Sequence, residues 1–251
     1  MTDKGNPEHN NPSASDLASK GRYHEALISF DLEIGRGVNP SSLLVGKALT
    51  LDRIGFFSDS LECCKRAIKL DPRNIDAWFI RGLTFYYLSQ TDTALECLDH
   101  ALALDPDHVE AWFIRGNCLY QRENLEEAIR SYERALDIIP GYPKAWYNRG
   151  VSLADQGRFE EAIDSYDQCL AMNPGVSVIH ANRGVALAAI GRLDEALFAF
   201  DRALALDPGD LTALNNKGII LSRQGRDGEA MDCLERARKI ARGKDFLRRV
   251  W

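Results

Sequence analysis

Residues 75–108 read IDAWFIRGLTFYYLSQTDTALECLDHALALDPDH, and residues 109–142 read VEAWFIRGNCLYQRENLEEAIRSYERALDIIPGY. Both open on AWFIRG after two residues, carry an alanine-led apolar run in the middle and place a proline near the end. The 34-residue step extends outward from this pair, through Pro72, Pro106, Pro140, Pro174 and Pro208, through Gly82, Gly116, Gly150, Gly184 and Gly218, and through Ala94, Ala128, Ala162, Ala196 and Ala230. An aromatic column of Trp78, Trp112 and Trp146 gives way to His180 and Leu214. Self-similarity at a fixed period of this length marks a repeat architecture, whose units cannot bury their apolar faces alone and must stack.

Within a unit, Trp78, Gly82 and Phe85 recur at i, i+4 and i+7, and Ala94, Leu98 and Ala101 do the same after a short break, so each unit reads as two amphipathic helices. Gly21, Gly55, Gly157, Gly191 and Gly225 fall in the break, where a left-handed residue ends the first helix; Ser89 and Glu123 depart from that column. The prolines disfavour helix in the residue before them and so end the second helix, and each is expected to open the next one. A helical glycine costs about 1 kcal/mol relative to alanine. The column from Gly82 to Gly218 therefore implies close approach of a partner helix, filled by the large residues Leu98, Tyr132, Tyr166, Phe200 and Leu234.

The pattern W-x-x-x-G…A-x-x-x-[LYF]-x-x-A…P at this step resembles the tetratricopeptide repeat. The resemblance implies an all-α, right-handed superhelical solenoid of antiparallel helix pairs. It covers six units at 41–74, 75–108, 109–142, 143–176, 177–210 and 211–242. The first is degenerate, with Leu44 for Trp, Ala48 for Gly and Ser60 for Ala. Residues 13–40 echo the pattern through Leu17, Gly21, Tyr23, Ala26 and Phe30, but Glu33 stands where alanine is expected, so they read as a helical cap or partial repeat. Residues 1–12 are expected to be disordered, and residues 243–251 to form a capping tail in which Phe246, Val250 and Trp251 cover the last pair or meet another molecule.

Composition narrows the function. A net charge of −6 argues against a surface built to neutralise phosphate, so nucleic acid is not an expected partner. No segment reaches the ~20 apolar residues of a membrane span and none resembles a secretion signal, so the protein is expected in the cytoplasm, without a membrane partner. The six cysteines form no C-x-x-C pair, and their expected role is packing as reduced thiols. The histidines are scattered, no phosphate loop or nucleophile elbow occurs, and no cofactor, metal site or enzymatic activity is expected.

The resemblance points instead to binding, because in such proteins the first helices line a concave groove that holds a partner's peptide segment. One position beyond the buried stripe lie Phe79, Tyr86, Phe113, Asn117, Tyr120 and Tyr147, and aromatic side chains give large contact area at low entropy cost. The next column runs Ile80, Ile114, Asn148, Asn182, Asn216. A carboxamide both donates and accepts, so three in register can pair with a peptide main chain without reading its side chains. First helices ~10 Å apart would meet a chain rising ~3.3 Å per residue at about every third residue. Members that clamp a C-terminal carboxylate use lysine, arginine and asparagine at these columns; only Lys144 fits that pattern here. The column Arg81, Arg115, Arg149, Arg183, Lys217 is read as structural, its stems covering the core and its heads reaching loop acids such as Asp105 or Asp207. The expected function is a non-catalytic scaffold for a protein or peptide partner, with self-assembly into a homo-oligomer through terminal surfaces as the alternative.

Overall fold

A computed structural model describes residues 12–37 and 39–250, with side chains through residue 242. The expected tail at 1–12 thus lies almost wholly outside the described residues, as do the side chains of the expected capping tail. Among the described residues every secondary-structure element is an α-helix. It divides into two compact units, Met1–Cys118 and Leu119–Trp251.

The first unit holds α1 (Ala14–Ser19), α2 (Tyr23–Gly35), α3 (Pro40–Arg53), α4 (Phe57–Leu70), α5 (Ile75–Tyr87), α6 (Thr91–Leu104) and most of α7 (Val109–Gln121). The second holds α8 (Leu125–Ile138), α9 (Pro143–Asp155), α10 (Phe159–Met172), α11 (Ser177–Ala189), α12 (Leu193–Leu206), α13 (Leu211–Arg223) and α14 (Asp227–Val250). Each unit is a solenoid of helix pairs, in which a helix packs on its pair partner and on the helix of the next pair.

The turn within each pair is closed by a left-handed residue. Gly157 has φ +76°, and the N–H of the following Arg158 returns to Leu153 O at 2.9 Å, which satisfies a carbonyl the helix end would leave open. Ser89 and Glu123 adopt the same conformation at φ +57° and +60° despite carrying a Cβ. The glycines inside the helices mark close approach. A Cβ on Gly184 would stand 2.6 Å from Phe200 Cε1, and one on Gly150 would stand 2.7 Å from Tyr166 Cε1. Phe200 and Tyr166 are fully buried, so the glycine and the large residue form one packing element.

The prolines do not open the next helix as expected. Pro72, Pro106, Pro140, Pro174 and Pro208 sit in the turn before it, and α5 begins only at Ile75, behind an N-cap in which Asn74 accepts from Ala77 N at 2.9 Å. Their carbonyls instead anchor the aromatic column. The indole Nε1–H groups of Trp78, Trp112 and Trp146 donate to Pro72 O, Pro106 O and Pro140 O at 3.0, 2.8 and 2.8 Å. The tryptophans are accordingly half-buried, with a packed ring and a polar edge turned to the loop. His180 makes the equivalent contact, Nε2 to Pro174 O at 3.0 Å.

Cores follow the apolar columns. In the second unit Leu153, Tyr166, Leu187, Phe200, Leu214 and Leu221 belong to one cluster; in the first, Leu44, Ala48, Cys64 and Ala77 form one, and Ala14, Leu17, Ala26 and Phe30 another. Glu33, the residue out of pattern, accepts from Ala14 N at 3.1 Å and from Ser29 Oγ at 2.9 Å, so it holds the start of α1 against α2. All six cysteines are buried and unpaired. Burial pushes the Cys64 and Cys118 thiols up to about 12, which keeps them protonated.

Candidate binding faces on the first helices

The basic column is structural, but its partners differ from those expected. Arg115 reaches Asp99 at 2.8 Å, Arg149 reaches Glu133 at 2.9 Å, Arg183 reaches Asp167, and Lys217 and Lys47 reach Asp201 and Asp31. Each acid lies 16 residues earlier, on the preceding second helix and not in a loop. The reason is geometric: the preceding second helix packs against the helix that carries the cation, whereas Asp105 and Asp207 bond to backbone N–H groups of their own turns at Asp107 and Gly209. Three guanidinium groups also lie near tryptophan rings, Arg81 over Trp78, Arg115 over Trp112 and Arg149 over Trp146, at 5.7, 5.7 and 5.8 Å. At Arg81 the repeat breaks, because the position 16 residues earlier is Lys65. Arg81 lies instead over both Trp78 and Phe85.

On the first unit, Phe79 packs against His108 with ring centroids 4.6 Å apart, and Phe113 lies half-buried on α7. The Tyr86 side chain is hydrogen-bonded to Asn117; burial pushes its phenol up from the usual range and that bond pulls the other way. On the second unit, Tyr120 donates to Asp155 Oδ2 at 2.7 Å, and this bond, ahead of burial, pushes the phenol up to about 12. Asn182 Nδ2 donates to Tyr147 OH at 3.2 Å, while burial pushes that phenol up. Asn216 Nδ2 donates to Thr212 O of its own helix at 2.8 Å. Asn148 is half-buried on α9, and Lys144 is exposed in the first turn of the same helix.

The three asparagines therefore differ in state. Asn182 and Asn216 each already use an N–H, and each keeps a second donor and its carbonyl for other partners. Sequence reasoning missed Asp155, since an acid at a helix end reads as solvated until its neighbour is known.

It also missed a buried polar cluster on the first unit. Asp52, on α3 and 8 % exposed, is bonded through Oδ2 to Thr84 Oγ1 at 2.8 Å, and Ser60 Oγ lies 3.3 Å from that hydroxyl. Asp52 Oδ1 is buried and has no hydrogen-bond partner among the described residues. Burial pushes the Asp52 carboxyl up, against the pull of Thr84 and Ser60. Its only sequence signal was an acid in the column that holds Tyr86 and Tyr120 in the next two repeats.

Tetratricopeptide-repeat profiles match residues 63–96, 81–143, 143–176 and 178–243. The chain belongs to the tetratricopeptide repeat family. Solved structures of this tetratricopeptide solenoid class agree. A MamA protein is 24 % identical over 67 % of this chain and 92 % of its own, with a TM-score of 0.63. YrrB, described as a tetratricopeptide protein with an unusual peptide-binding site, is 21 % identical over 75 % of this chain and 97 % of its own, with a TM-score of 0.67. A chain of the APC/C hetero-tetramer Cut9–Hcn1 is 16 % identical over 90 % of this chain and 45 % of its own, with a TM-score of 0.64. These likenesses show the fold. No curated protein matches the sequence. In the described part of this tetratricopeptide chain, no helix is long and apolar enough to cross a membrane, and no group of three or more potential metal ligands gathers.

Proposed function

We propose that this protein is a non-catalytic, cytoplasmic interaction scaffold whose first-helix faces bind a segment of a partner polypeptide. On the first unit the face is Phe79, Tyr86, Phe113 and Asn117; on the second it is Tyr120, Lys144, Tyr147, Asn148, Asn182 and Asn216. The observation that carries the reading is the Tyr147–Asn182 pair at 3.2 Å, a half-buried phenol and amide set on successive first helices. The pair fixes both side chains in place while leaving the amide an unused N–H and carbonyl, which is the equipment for pairing with a peptide main chain. Each such bond contributes only about 1 kcal/mol net, so the aromatic residues supply much of the affinity.

A pull-down from lysate of the source organism, comparing the wild type with the Asn148→Ala, Asn182→Ala, Asn216→Ala variant after a circular-dichroism check of folding, tests this. A partner held by the wild type and lost by the folded variant supports the second-unit face. Equal retention moves the site off the asparagines and leaves Phe79, Phe113 and Tyr120 to be substituted next. If those substitutions also change nothing, the first-helix reading fails.

A further inference from the structure

Tyr86 and Tyr120 each find a polar partner on the following first helix, at Asn117 and Asp155. Asp52 stands one repeat before Tyr86 in the same column, and the positions equivalent to those partners are Leu83 and Tyr87. Neither donates to it, and Thr84 on that same helix serves only Oδ2. Asp52 Oδ1 is left buried without a donor, and Asp52 is one of the residues lining a pocket of about 440 Å³, with Leu49, Arg53, Phe57, Leu83 and Tyr87. That volume suits a side chain or small ligand. The walls are aromatic: Phe57 and Tyr87 have ring centroids 6.0 Å apart, and Tyr87 is 52 % exposed.

We propose that this pocket, between α3 and α5, receives a lysine or arginine side chain of the bound partner segment, its stem along Phe57, Leu83 and Tyr87 and its N–H groups directed to the Asp52 carboxyl group. The inference rests on the reading of the first helices as the binding face and adds to it the chemistry of one anchor. A buried carboxyl oxygen lacking a donor is satisfied best by a cationic N–H group, and a cation beside exposed aromatic rings gains from their faces as well. Arg53 does not fill this role, because consecutive residues on a helix do not face each other and its side chain is exposed at the rim, where water screens it. A metal ion is a poor occupant, since no group of three potential ligands gathers among the described residues.

The test uses the full, isotope-labelled chain and four acetylated, amidated pentapeptides, each with alanine at four places and lysine, arginine, norleucine or glutamate at the centre. Amide shifts are followed at residues 49–57 and 83–87. The lysine or arginine peptide is expected to bind about tenfold more tightly than the norleucine peptide, the size of one charged hydrogen bond, and Asp52→Asn is expected to remove most of that preference. Equal affinity for lysine, arginine and norleucine peptides overturns the proposal, as does absence of binding by all four. A preference for glutamate assigns the pocket to Arg53 and overturns it too, and so does a cation preference that survives Asp52→Asn. Tyr87→Ala, at an exposed wall, guards against misfolding of the Asp52 variant: weaker binding of the cationic peptides supports the pocket, and unchanged binding removes it. The asparagine substitutions of the pull-down lie on the other unit. A partner lost there together with indifferent pentapeptides therefore refutes only this pocket, whereas a retained partner with selective pentapeptides refutes only the asparagine face.

Discussion

His180 Nε2 lies 3.0 Å from the carbonyl oxygen of Pro174, the contact that Trp146 Nε1 makes to Pro140 at 2.8 Å one repeat earlier. The imidazole therefore does more than pack: it keeps the ring-to-turn bond with a smaller ring. His180→Trp is expected to keep the bond and add buried apolar area, for a gain of about 0.5–1 kcal/mol, while His180→Leu loses the bond and costs about 1 kcal/mol. Urea denaturation of both variants gives the comparison.

Glu123 and Ser89 occupy left-handed turn positions that glycine fills in the other repeats. An L side chain is strained there by roughly 1–2 kcal/mol, partly offset by the greater unfolded-state entropy of glycine. Glu123→Gly and Ser89→Gly are each expected to stabilise by roughly 0.5–1 kcal/mol, read as a higher denaturation midpoint at an unchanged slope.

Gly184→Ala sets two effects against each other. Helix propensity favours alanine by about 1 kcal/mol, but its Cβ would lie 2.6 Å from the fully buried ring of Phe200, and overpacking of this kind costs about 1–3 kcal/mol. Net destabilisation of about 1–2 kcal/mol is expected. Gly175→Ala, where an added Cβ meets nothing within 4 Å, is the control and should be nearly neutral.

Lys65→Glu supplies the acid that Arg81 lacks relative to Arg115, Arg149 and Arg183. The gain expected is about 0.5 kcal/mol, and it should vanish in molar salt because the pair is at the surface. Thermal melts at two salt concentrations decide it.

Asp52 gives stability a pH dependence of defined sign. Burial raises its folded-state pKa above the ordinary value of 3.8, so between the two values the folded chain holds a proton that the unfolded chain has released. Stability from this group therefore falls as pH rises from about 3.8 through the folded value and stays lower at neutral pH. Asp52→Asn should remove that component, so that the variant gains on the wild type as pH rises. Thr84, Ser60 and Cys64 pack around the group, and only the Asp52 substitution should flatten the profile.

Local periodicity was enough to read the helix pairs, the left-handed turns at Gly157 and its equivalents, and the partnership of Gly184 with Phe200, because a repeat writes the same short-range instruction many times. Departures from the pattern were legible as departures: Glu33, Ser89, Glu123 and His180 all stood out of column. What replaced the missing interaction was not legible, since most of it came from turns and helices other than the one carrying the departure. The acids of the basic column, the Pro174 carbonyl beside His180, the Tyr147 hydroxyl that takes a donor from Asn182, and the donor missing at Asp52 Oδ1 were all set by tertiary structure. Propensity and apolar spacing act within a helix or between neighbouring ones, so sequence alone determined the solenoid. Hydrogen bonds need partners aligned within about 3 Å, and only the packing of each helix on its neighbouring helices and turns decided which polar groups are satisfied and which remain available to a ligand.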